Sequence, residues 1–130
     1  MRDPAQALAL ARKAVALTPG TAMYLNTLGV ALYRAGQYGE AVSVLERSLA
    51  AGKGEFDAFD LFFLAMAHHR LGHATQARAC FDRALRWLSE RKNLPAQHVP
   101  ELTSFRTEAE AVLALAGPSA ELPADVFAPE

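Results

Sequence analysis

The side chains of this 130-residue chain best suited to metal or nucleophilic chemistry are three clustered histidines, His68, His69 and His73, and one cysteine, Cys80. His69 and His73 have the i, i+4 spacing that sets two imidazoles on one helix face, where they could share a metal. A stable site needs a third ligand. The nearest acid on the same helix, Asp60, lies two turns upstream, so the spacing predicts no metal. Cys80 stands between Arg78 and Arg83, and nearby cations lower a thiol pKa. No base lies within sequence reach, so Cys80 reads as a buried or half-buried structural thiol. The Ser, His and Asp residues form no recognisable triad context. The expectation is no catalytic residue, no cofactor and no turnover.

The elements that carry these residues are helical. In 25–50, LNTLGVALYRAGQYGEAVSVLERSLA, Leu25, Leu28, Gly29 and Leu32 recur at i, i+3, i+4 and i+7 on one helix face, and Ala41, Leu45, Ser48 and Leu49, at i, i+4, i+7 and i+8, likewise share one. Gly36 gives the backbone freedom to end the first helix. Small residues at Gly29 and Ala41 let the two backbones approach, which predicts an antiparallel hairpin. A shift of 36 lays Leu25, Leu28, Leu32, Gly36, Ala41, Leu45 and Ser48 on Leu61, Leu64, His68, Gly72, Ala77, Phe81 and Ala84. A shift of 34 the other way lays Ala41, Leu45 and Ser48 on Ala7, Ala11 and Ala14, so the chain opens on a second helix whose partner is missing. Such a period belongs to solenoid repeats.

These residues resemble the tetratricopeptide repeat, W-x2-L-G-x2-Y, then A-x3-F, then P. Leu25-x2-Leu28-Gly29-x2-Leu32 with Ala41-x3-Leu45 and Ser48 resembles one copy. Leu61-x2-Leu64-Ala65-x2-His68 with Ala77-x3-Phe81 and Ala84 resembles the next, and Ala7, Ala14 and Pro19 the close of an earlier one. Leu stands for the first aromatic, Ala65 for the glycine and Lys53 for the closing proline. The expected fold is all-α, a right-handed α-solenoid of antiparallel helical hairpins with a C-terminal capping helix.

Six helices are expected, near 3–18, 22–35, 38–51, 57–71, 74–90 and 100–116. They divide into a half repeat (3–19), full repeats (22–53 and 58–89) and a cap (100–116), all in one domain, 1–117, with a flexible tail, 118–130. Asp3 suits the cap of the first helix and Pro4 its first turn, while Pro19-Gly20 ends it. Asp57 or Glu55 favours the start of the fourth, AFDLFFLAMAHHR, which is apolar on almost every side and is expected at the centre of the stack. Leu102, Phe105, Ala109, Val112 and Ala116 form one face of the last helix, which Gly117-Pro118 ends. The unpartnered first helix suggests a segment of a longer array, or an end that uses a neighbour.

Composition narrows the function. With 13 basic and 14 acidic residues the net charge is −1, no footprint for nucleic acid or an anionic membrane. No stretch reaches the roughly 18 apolar residues of a membrane span, and Arg12 and Lys13 interrupt the first apolar run. One cysteine allows no internal disulfide, and the expected compartment is the cytoplasm. The resemblance implies a protein-interaction module whose groove is lined by the first helix of each hairpin. Its candidate residues are Asn26, Val30, Tyr33, Arg34, Phe59, Phe62, Met66, His69 and Arg70. The ligand would be a peptide, a helix or a sister chain, self-association running through the open N-terminal helix. Phe59, Phe62 and Met66 make a second apolar stripe on the fourth helix, either a groove or core beneath the last helix. Members that grip a peptide carboxylate use Lys, Asn and Arg; only Asn26, Arg34 and Arg70 are compatible here. LFFLAMAHHRLG and FRTEAEAVLAL also resemble repeat segments attached to some bacterial serine/threonine kinases and WD40-repeat proteins. On that alternative the chain is a regulatory appendage of a signalling enzyme. It has no Gly-rich loop, His-Arg-Asp or Asp-Phe-Gly to do kinase chemistry itself.

Overall fold

The computed structural model describes residues 4–91 and 93–114, and among them every regular element is a helix: α1 Pro4–Leu17, α2 Ala22–Arg34, α3 Tyr38–Gly52, α4 Asp57–Arg70, α5 Ala74–Glu90 and α6 His98–Val112. The six helices are those expected, joined into an all-α repeat solenoid. Asp3, Ala116, Gly117-Pro118 and the tail lie outside the described residues.

The two hairpins, α2–α3 and α4–α5, close in the same way. Gly36 and Gly72 both adopt left-handed φ, +82° and +83°. The N–H of Gly36 donates to the Tyr33 carbonyl at 3.0 Å and that of Gln37 to Leu32 at 2.9 Å; one period on, Gly72 donates to His69 at 3.0 Å and His73 to His68 at 2.9 Å. Left-handed backbone strains any residue with a Cβ, so the 36-residue shift preserves glycine at both turns. Within the first hairpin a Cβ on Gly29 would collide with Cγ and Cδ2 of Leu45. Glycine there is a packing requirement, the close approach expected with Ala41, which is itself fully buried.

The longer link between hairpins passes through Lys53 and Gly54 at φ +54° and +88°. Trp87 of α5 donates its indole N–H to the Gly54 carbonyl at 2.8 Å; Arg91 donates to the same oxygen and lies 4.3 Å from the Trp87 ring centre. The link is thus held against α5. No side chain caps α4: Phe56 precedes it, with Asp57 and Asp60 in its first turn favouring the positive end of the helix dipole.

The core is centred on α4. Ala58 and every residue from Asp60 to Ala67 are buried, as its all-round apolar composition predicts. It packs against α5 on one side, α3 and α2 on another and α6 on a third. At the other end α1 packs on α2, and the Arg12 guanidinium pairs with Glu40 of α3 at 2.7 and 2.9 Å.

Candidate interaction surfaces

The structure sorts the candidate groove residues into three groups. Phe62 and Met66 are 0% exposed. The Phe62 ring packs 5.8 Å from that of Phe81 in α5, so this part of the stripe is hairpin core, closed to a partner. This corrects its expected place in a groove. Helical spacing puts Phe62 and Met66 on one line with Phe59, but α4 is covered on several sides, and spacing does not say which side faces α5. Tyr33 is buried too, its ring 5.4 Å from Tyr38 and 5.8 Å from Phe63. Asn26 is engaged: its side-chain N–H donates to Asp60 Oδ1 at 2.9 Å and to the Phe59 carbonyl at 3.4 Å.

Phe59, Arg34 and Arg70 stay on the surface shared by α2 and α4, and α6 lies on it. Phe59 meets His98 and Phe105 at ring separations of 5.2 and 6.4 Å, and Phe105 meets Phe63 at 4.9 Å. Arg34 grips Glu108 with both ends of its fork, the Nη2 bond measuring 2.8 Å, and its guanidinium sits 5.3 Å from the Phe63 ring centre. The Glu108 hydrogen bonds and charge raise the Arg34 pKa further. Arg70 donates to the Tyr33 hydroxyl at 3.4 Å. His69 is half-buried near the end of α4.

A second surface is open. Val30 belongs to a cavity of about 560 Å³ between α1 and α2, which also takes in Ala7, Leu10, Ala11, Ala14 and Met23. Leu10 is 64% and Met23 71% exposed, high for large apolar side chains. Among the described residues no element of the chain covers this face.

Sequence reasoning missed a buried carboxylate, Asp60, which is 2% exposed. Burial pushes its pKa up to about 6, against the hydrogen bonds of Asn26 and Ser48 and with a small push from Asp57. No salt-bridge partner reaches it among the described residues. The signal was present as an acid flanked by Phe59 and Leu61 in the first turn of a helix apolar on almost every side.

His68, rather than His69, meets His73, with Nδ1 atoms 3.2 Å apart. Gly72 turns the chain back between them, so His73 starts α5 rather than extending α4. Burial lowers the His68 pKa, and the charge of His73 adds to this. Among the described residues no three His, Cys, Asp or Glu are grouped to hold a metal. Cys80 is half-buried, and burial raises its thiol pKa despite Arg83.

Profiles of the tetratricopeptide repeat match residues 1–56 and 61–87, together more than half of the sequence and in register with the helical hairpins. The chain belongs to the tetratricopeptide repeat family. No curated protein matches it. Tetratricopeptide repeats are protein-interaction scaffolds, typically without catalysis of their own. No helix among the described residues is long and apolar enough to cross a membrane.

Proposed function

We propose that this tetratricopeptide-repeat chain is a non-catalytic docking module that seats one helix of a partner protein on the open face of α1 and α2. The observation that carries this reading is the concentration of exposed apolar side chains, Leu10 and Met23 foremost, around the 560 Å³ cavity there.

The repeat register supports a helix as the occupant. Ala7, Ala11 and Ala14 of α1 correspond to Ala41, Leu45 and Ser48 of α3, and in α3 these residues lie buried under α2. The α1 face is therefore the same kind of seat, with no helix on it among the described residues. Ala11 itself is buried, so an incoming helix would rest on the exposed Leu10 and Met23 and on the half-buried Ala7 and Ala14 beside them, and must bring an apolar face of its own.

The experiment is site-specific photo-crosslinking in cells, with the crosslinker at position 23 and, as a control, at Glu90 on α5. Capture at position 23 alone, directed to an apolar helix and abolished by Leu10→Glu, is the expected result. An exposed anchor of this kind contributes about 2 kcal/mol of binding. Equal capture at both positions, or capture that survives Leu10→Glu, refutes the reading.

A further inference from the structure

The turn between α4 and α5 repeats the backbone of the turn between α2 and α3 but not its side chains. The 36-residue shift lays His68 on Leu32 and His73 on Gln37. In both turns the later residue donates its backbone N–H to the carbonyl of the earlier one at 2.9 Å, across a glycine at left-handed φ. That bond sets the two residues side by side. In the first turn it joins Leu32, which is fully buried, to a glutamine. In the second it joins two imidazoles, whose Nδ1 atoms face each other at 3.2 Å with the ring centres 5.4 Å apart. His68 is half-buried and His73 exposed, so the pair opens to water.

We propose that His68 and His73 form an exchangeable site for a divalent late transition metal, zinc foremost, which clips the start of α5 to the end of α4. The distance carries the argument. Two imidazole nitrogens bound to one zinc, each about 2.0–2.1 Å from it, stand about 3.3 Å apart in tetrahedral geometry and about 2.9 Å apart at a right angle. The 3.2 Å between these Nδ1 atoms lies nearer the tetrahedral value, so the rings need only tilt to converge on one ion. Because the backbone bond between the same two residues already holds them together, little ordering is left for the metal to impose. The donor type selects the ion: imidazole suits zinc, copper and nickel, whereas magnesium and calcium take oxygen.

Two facing Nδ1 atoms of neutral imidazoles share one proton. The metal takes the place of that proton, and the ring that carried it holds its hydrogen on Nε2 instead, so the pair stays neutral. Burial and the charge of His73 favour neutral His68, while the carboxylate of Glu46 on α3 is near enough to favour positive charge there, which suits a dication. Among the described residues no third His, Cys, Asp or Glu is grouped with the pair, so water completes the shell and the metal exchanges with solution rather than being locked into the fold.

The test is calorimetric titration of the full chain, first stripped by a chelator, with zinc chloride, and with magnesium chloride as the control. The variants come from the other turn: His68→Leu and His73→Gln bring the residue types of Leu32 and Gln37 to the same backbone geometry, which leaves the hairpin free to fold. Wild type should take up stoichiometric zinc and no magnesium, and zinc should raise its thermal unfolding midpoint. Each variant should bind zinc about tenfold more weakly or worse and lose the zinc-dependent shift of the midpoint. His69→Ala should bind as wild type does. Absence of zinc uptake by wild type, or undiminished uptake by His73→Gln, refutes the site. A loss with His69→Ala equal to that with His73→Gln would place the metal on those two histidines and overturn the assignment to His68.

Discussion

Replacing Asp60 by Asn should stabilise this fold at neutral pH, and the gain should shrink as the solution is acidified. Asp60 is buried where α2, α3 and α4 meet, accepting a hydrogen bond from Asn26 at 2.9 Å, with Ser48 beside it. The Ser48 hydroxyl donates to the Ala22 carbonyl at 3.1 Å. Buried there, the carboxylate has no salt-bridge partner among the described residues. Burial raises the folded pKa from 3.8 to about 6. At 1.36 kcal/mol per pKa unit this is about 3 kcal/mol.

The sign follows from linkage. A group whose folded pKa lies above its unfolded one stabilises the fold fully below the unfolded value. That contribution is lost as pH rises through the folded value, so the window runs from about pH 4 to above pH 6. Asn keeps the acceptor for Asn26, offers N–H to Ser48 and carries no charge at any pH. Asp60→Asn should therefore gain about 2–3 kcal/mol near pH 7.5, falling by about 1.4 kcal/mol near pH 5 as wild type takes up its proton. Glu40, whose pKa Arg12 lowers, is remote from Asp60 and common to both chains, so its contribution cancels in the difference. Urea unfolding followed by circular dichroism at the two pH values measures it. A variant less stable than wild type at both, or a difference independent of pH, refutes the assignment of the burden to a buried carboxylate.

Gly29→Ala should destabilise by about 1–3 kcal/mol, because its Cβ has no room beside Leu45; with Leu45→Ala the double variant should be less impaired than the sum of the two, and strict additivity in a double-mutant cycle would refute the contact. Trp87→Phe removes the indole donor to Gly54 while keeping an aromatic ring, and should cost about 1 kcal/mol in the same urea titration; an unchanged midpoint would show that Arg91 alone holds the link.

What was legible in the sequence was what the period determines. Gly36 and Gly72 share a turn geometry, and Gly29 faces Leu45, because a repeat fixes local conformation and the packing of the next helix along the chain. The side of α4 that meets α5 was not legible. A helix apolar all round has no moment to orient it, so Phe59, Phe62 and Met66 read as one stripe, although Phe62 meets Phe81 while Phe59 meets α6. Nor was the seat of α6 legible. Its apolar face was plain, but what it covers depends on a pair 74 residues apart, Arg34 with Glu108, and on the direction the link from α5 takes. Pro100 was read as the start of α6, whereas the helix begins at His98 and takes the proline in its first turn, where a missing N–H leaves no bond unmade.

The two surfaces differ in how well they tolerate vacancy, and the difference lies in their side chains. Beneath α6 are Phe59 and Phe63, whose rings, with that of Phe105, form a continuous aromatic contact against the central helix. Each such side chain returned to water costs about 2–3 kcal/mol, a large part of the stability of a domain this size. α6 therefore keeps that surface covered, with Leu102 and Ala109 buried against it. The α1–α2 seat is floored by Ala7, Ala11 and Ala14, with Thr27 at its side. Alanines expose little area, and Leu10 and Met23 stand at the rim already in water. This face can therefore stand open at little cost to the fold. Arg34 borders both, lining the α1–α2 cavity while it holds Glu108. An acidic side chain brought to the α1–α2 cavity would therefore compete with Glu108 for the Arg34 guanidinium and weaken the hold on α6.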